Sequence, residues 1–170
     1  MRSRRLITEF ERSFRAACER GRFRLVHYSI QRDHAHLIVE AWSARDLSNG
    51  LKSIAARVAR AVNRVFRRVG PVLDDRCHVR ALRTPREVRN AIGYVLLNAR
   101  RHAAKLGIRL ARTREFDSAS SGRWFDGWRF RFDRSERDDR SVASPRTWLL
   151  ALGWRRCGLI GPWEVPGRRA

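Results

Sequence analysis

FRLVHYSIQRDHAHLIVEA, residues 23–41, is the stretch that decides the fold. Phe23–Ile30 is rich in β-formers and alternates. Gln31–Asp33 makes a short connection, and His34–Ala41 alternates again. Two such runs joined by three residues predict an antiparallel hairpin. Alternation also places His34 and His36 on one face, about 7 Å apart along the strand. Two neutral imidazoles so placed can share one divalent ion. They are equally what strand alternation leaves when two polar residues fall on one side. The choice depends on what the rest of the chain supplies.

Upstream, Leu6, Ile7, Phe10, Phe14 and Cys18 recur at helical spacing, and Gly21 follows as a stop. The spacing predicts a helix over 4–20. Downstream, Ser43 and Asp46 are N-cap candidates for a long helix over 47–68. Its apolar stripe is Leu47, Leu51, Ile54, Val58, Val62 and Val65. Arg57, Arg60, Arg64 and Arg67 recur on the other side. That ridge is either a solvated face or a surface that meets nucleic-acid phosphates.

VGP at 69–71 breaks the helix, and HVRAL at 78–82 reads as a further strand. Thr84, Pro85 and Glu87 form a capping-box pattern at the start of a helix that runs to Gly107. Within it, Tyr94 and Asn98 are four apart and share a helical face. A tyrosine can act as a nucleophile towards phosphorus, and an asparagine carbonyl can ligate a metal. Tyr94 also borders the stripe Val88, Ile92, Val95, so a core-edge aromatic is the plainer account. A plain core stripe does not need the polar tip with an asparagine one turn on.

After about residue 112 the texture turns polar, Gly/Ser-bearing and spotted with aromatics, which predicts loop and partial order. A short helix is expected near 145–156. Five of the six tryptophans lie here: Trp124, Trp128, Trp148, Trp154 and Trp163, interleaved with arginines. Such residues can stack single-stranded bases; pinning a tail to the domain is the favoured role.

The composition narrows the partner. The chain of 170 residues has a formal net charge of +21, and Lys52 and Lys105 are its only lysines. Arginine grips phosphate with a planar fork and stacks on bases. An excess of this size implies a polyanion, most simply nucleic acid. No apolar run approaches the roughly 18 residues of a membrane span. MRSRRLITEF lacks the apolar stretch of a secretory signal, so a cytoplasmic protein is expected. Cys18, Cys77 and Cys157 form no C-x-x-C pair and suggest neither a disulfide framework nor a zinc ribbon.

Taken in order, strand H-A-H-L-I-V, a helix bearing A-R-x-x-x-x-x-N (Ala56, Arg57, Asn63), G-P-V, R-C-H-V-R-A-L and Y-V-L-L-N resemble the single-tyrosine HUH transposases. The likeness covers roughly residues 21–106, and its nearest branch is the REP-associated tyrosine transposases. The resemblance implies an α+β, ferredoxin-like antiparallel sheet with helices on one face, followed here by a poorly ordered C-terminal extension. It divides the chain into a catalytic domain, residues 1–110, and an Arg/Trp-rich extension, residues 111–170. Such domains begin with a further strand, whereas this chain starts at the first helix. The sheet edge left without that strand should be unpaired or covered by the tail.

By the same resemblance, Tyr94 matches the nucleophile, and His34, His36 and Asn98 match the ligands of a divalent metal, Mg²⁺ or Mn²⁺. Asp33 stands where the family often has Asn, and Ala99 where Pro is common. The implied activity is nicking and rejoining of single-stranded, hairpin-forming DNA through a 5′-phosphotyrosine intermediate. Arg57, Arg60, Arg64, Arg67 and Arg101 are the expected DNA-binding residues, with no membrane partner and either a monomer or a homodimer. The alternative is a catalytically inactive or domesticated, sequence-specific nucleic-acid-binding relative. An RNA-binding sheet would want exposed aromatics on its central strands, for which Phe23 and Tyr28 are the only candidates.

Overall fold

The computed structural model describes residues 3–73, 77–108, 110–111, 116–130 and 140–167. Helix α1 (Arg4–Arg15) opens with the Ser3 hydroxyl accepting the Leu6 N–H and buries Leu6, Phe10 and Phe14 along one stripe. It stops at Arg15, short of the expected 20. Glu19–Arg20 instead forms β1 and pairs antiparallel with Phe23–Arg24. Gly21 explains the change: with φ +56 it opens a two-residue hairpin loop, a use that competes with ending a helix.

The expected hairpin is present. β2 (Phe23–Ile30) and β3 (Ala35–Ala41) pair antiparallel, with an irregularity between Leu25 and His27. The sheet order is β1-β2-β3, so β2 is central, and all eight of its residues are buried. Helix α2 (Ala44–Phe66) takes Ser43, whose hydroxyl accepts the Asp46 N–H, as its N-cap. It ends at Arg67, which adopts φ 51. Helix α3 (Pro85–Leu96) carries the full capping box between Thr84 and Glu87.

Two expectations for this region are corrected. Residues 78–82 form no strand. Val79 is 62 % exposed, and of this run Leu82 is the residue packed against the core. A segment with no buried face has nothing to set a strand register. Glu87 instead holds it to the start of α3, accepting from Arg80 Nη2 and the Arg83 N–H. The helix from Pro85 is also interrupted. Leu97 has φ −107 and ψ 20, and α4 (Asn98–Lys105) starts beyond it.

The α+β class and antiparallel sheet follow the expectation. Helices α1 and α2 form the expected layer on one face, with Phe23, Leu25, Tyr28, Leu37 and Val39 beneath them. A second layer covers the opposite face, where Val26 and Ile38 meet Val88, Ile92 and Val95 of α3. The helices therefore flank both faces rather than one. Two apolar sets on opposite sides of one strand pair require two coverings.

The extension has little regular structure: a 3-10 turn at Ser121–Trp124, the short α5 (Trp148–Ala151) and a 3-10 turn at Gly153–Cys157. Several of its described residues are nonetheless core. Trp128, Trp154, Phe125 and Ile160 pack with α3, so these two tryptophans pin, as favoured. The extension also covers the β2 edge. Ala143 N–H donates to the Leu25 carbonyl at 2.8 Å, Tyr28 N–H to Ser121 Oγ at 2.9 Å, and Ile30 N–H to the Ala119 carbonyl at 2.8 Å. Backbone groups that a bare edge would leave open are thus satisfied. No helix among the described residues is long and apolar enough to cross a membrane.

Candidate active site

His36 lies opposite Ser29 in the β2–β3 ladder, on the face that carries Ile38 and α3. His34 precedes β3 and turns to the same side. The two imidazoles meet with Nε2 atoms 3.1 Å apart and rings inclined at 78°. Two cis ligands held about 2.1 Å from one ion would lie about 3 Å apart, so the separation suits a shared cation. Asp33 Oδ1 lies 2.7 Å from His34 Nδ1. Accepting that N–H leaves the His34 Nε2 lone pair facing His36, the arrangement in which a carboxylate orients a ligating histidine. The Asp33 carboxyl is itself held below its ordinary range, first by the His34 hydrogen bond. At His36, burial is the main cause lowering the pKa, followed by the charges of His34, His102 and Arg101. A lowered pKa keeps the imidazole neutral and able to coordinate near neutral pH.

Tyr94 comes to this pair from α3. Val88, Ile92 and Val95 bury the helix against the sheet, which leaves Tyr94 half-buried at the flank of the stripe. Its ring centroid lies 5.0 Å from that of His36, at 73°. The Arg101 guanidinium, two turns further along, sits 4.7 Å from the Tyr94 ring centroid. His34, His36, Tyr94 and Arg101 are therefore consecutive neighbours on one face.

Asn98 is one turn beyond Tyr94, at the start of α4. It is 0 % exposed, and neither Oδ1 nor Nδ2 has a hydrogen-bond partner. A buried polar group without a partner costs roughly 1–3 kcal/mol. Such an orphan one turn from Tyr94 is free to act as a ligand, and an amide oxygen added to two imidazoles would give a donor set N, N, O that suits a divalent ion. Among the described residues, no three His, Cys, Asp or Glu side chains converge on a metal position. Asn98 offers a donor of another type.

The arginine ridge lies elsewhere. α2 packs with α1 on the opposite face of the sheet, so Arg57, Arg60, Arg64 and Arg67 are not brought to the histidines. Arg64 is paired with Glu9 at 2.5 Å. Of the five arginines expected at DNA, Arg101 is the one beside Tyr94. The sequence reading missed His102, whose charge is felt at His36. The signal was available: eight residues separate it from Tyr94, close to two helical turns.

A family model described as "Transposase IS200 like" matches residues 2–73. No curated protein and no solved structure matches the chain. The matched span takes in α1, the hairpin with His34 and His36, and all of α2, and it ends before α3. Over that part, under half of the chain, the protein is similar to IS200-like transposases, while Tyr94 reaches His36, and Arg101 reaches Tyr94, through the packing of α3 and α4.

Proposed function

We propose that this protein is a single-tyrosine, transposase-type enzyme that nicks and rejoins single-stranded DNA, with Tyr94 as nucleophile. The observation that carries the reading is the T-shaped contact of Tyr94 with His36, which joins a phenol to a converging histidine pair. The similarity of residues 2–73 to IS200-like transposases supports it independently, since that span holds the histidines and not the tyrosine.

His34, His36 and Asn98 would hold a divalent cation, Mg²⁺ or Mn²⁺. Bound there, the ion supplies Lewis-acid polarisation of a phosphoryl oxygen. The chain's own groups do the rest. Asp33 fixes the His34 tautomer. Arg101 packs its guanidinium on the Tyr94 ring, restricts the ring, and offers its remaining donors to a phosphate. The Tyr94 oxygen forms a bond to phosphorus while the bond from phosphorus to the 3′ oxygen breaks. The phenol proton ends on the released 3′-hydroxyl, and the DNA 5′ end remains as a phosphotyrosine ester. The ester conserves the phosphodiester bond energy, so the reverse attack by a 3′-hydroxyl rejoins a strand without ATP.

The test is incubation of the full chain with a labelled, hairpin-bearing single strand and Mn²⁺, followed by denaturing electrophoresis. Wild type should yield a covalent protein–DNA band. His36→Ala should lose the band while keeping most of its DNA affinity. A band of equal intensity from His36→Ala would end the reading.

A further inference from the structure

The histidine-bearing face of the hairpin runs in cross-strand pairs, Ser29/His36, His27/Ile38 and Arg24/Glu40. The ladder continues one pair further: the Trp42 N–H donates to the Arg22 carbonyl at 3.1 Å. Trp42 therefore stands on the same face as His36, six residues or about 20 Å away along β3. The next residue, Ser43, is the N-cap of α2, so the backbone at Trp42 is held from both sides.

This tryptophan stands apart from the other five. It precedes them in the chain by some eighty residues, and at 79 % exposed it pins nothing. Its cross-strand partner places a guanidinium 5.4 Å from the ring centroid. A flat, open π surface beside a phosphate-pairing fork is what stacks a base of single-stranded nucleic acid and grips its backbone. β3 is the outer strand of the sheet on this side. Between Trp42 and His36 on this face, Ile38 is buried with α3 and Glu40 accepts from the Arg146 and Thr147 N–H groups, so a strand that reaches both ends passes outside these residues. The net charge of +21 favours a polyanion at such an edge.

We propose that Trp42 and Arg22 form a stacking platform for a base of single-stranded DNA several nucleotides from the phosphate held at His34, His36 and Tyr94. This rests on the single-stranded DNA reading above and names a contact that holds the strand away from the reacting bond.

The test uses the full chain and fluorescence anisotropy with a labelled oligothymidylate, its abasic counterpart and a blunt duplex. Trp42→Ala should weaken oligothymidylate binding at least about fivefold, and Trp42→Phe should recover most of the loss. Neither variant should differ from wild type on the abasic strand or the duplex, which present no free base. Arg22→Ala should lower the slope of log affinity against log salt by about one, whereas Trp42→Ala should leave it unchanged. Unaltered oligothymidylate binding by Trp42→Ala overturns the proposal, as does an equal loss on the abasic strand. A change in self-association without a change in DNA affinity also overturns it, since the ring would then be a protein contact. The platform and the chemistry fail separately. Base-dependent loss without a covalent adduct in wild type refutes the nicking reading alone. An adduct with normal Trp42→Ala binding refutes the platform alone.

Discussion

Replacing Asn98 with leucine separates what the fold needs from what a ligand needs. The side chain is completely buried, and both of its polar atoms lack partners. Each such group costs roughly 1–3 kcal/mol in the metal-free protein. Leucine has similar volume and removes both polar atoms, at a repacking cost below about 1.5 kcal/mol. The net expectation is a gain of about 2 kcal/mol for Asn98→Leu in EDTA. For a chain of this size that corresponds to roughly 4–8 °C in Tm. Thermal and urea unfolding, each with EDTA and with Mn²⁺, provide the assay. Wild type should be stabilised by Mn²⁺ through mass action, by about 2.7 kcal/mol at a hundredfold excess over Kd. Asn98→Leu should lose much of that increment and should give no DNA adduct. If Asn98→Leu is instead destabilised by more than about 1 kcal/mol in EDTA, the amide is engaged by the fold itself and its burial is no argument for a ligand.

Two further outcomes follow from the packing. His27 is buried against Phe125, and desolvation pushes its pKa down to about 4. Its folded pKa lies below its unfolded value of about 6.5, so its stabilising contribution is complete above that value. It is lost as pH falls towards 4, by about 3 kcal/mol in all; urea titrations between pH 7.5 and 4 should show the slope, and His27→Gln should flatten it. Truncation after residue 110 removes Ala119, Ser121 and Ala143 from the β2 edge, together with Trp128 and Trp154 from the core beside α3. The shortened chain should aggregate in size-exclusion chromatography, and a folded monomer would show that the edge needs no cover.

The features that sequence made readable are those set by local rules. The β2–β3 hairpin follows from alternation over adjacent runs, the Ser43 cap and the Thr84–Glu87 box from side chains within three residues of their partners. The histidine pair follows from the period of a strand. What escaped depends on distant partners. Glu19–Arg20 is a strand because Gly21 turns the chain back onto β2. Residues 78–82 have strand composition and no face to bury. The second layer exists because Val26 and Ile38 on the other face of the strand pair meet the distant α3 and the extension. At the site, one helical turn put Tyr94 near Asn98, but only the seating of α3 on the histidine face brings Tyr94 to His36. The α2 arginines fitted a basic ridge in sequence, and the sheet separates them from that site.

The central claim is that the Tyr94 oxygen attacks phosphorus beside the His34/His36 pair. The most direct measurement is mass spectrometry of the tryptic peptide after reaction with single-stranded DNA and Mn²⁺. The account predicts a nucleotide 5′-phosphate ester on Tyr94, absent from Tyr94→Phe even though that variant binds DNA as wild type does. Mapping of the ester to Tyr28 or to a serine, or an undiminished adduct from Tyr94→Phe, would contradict it.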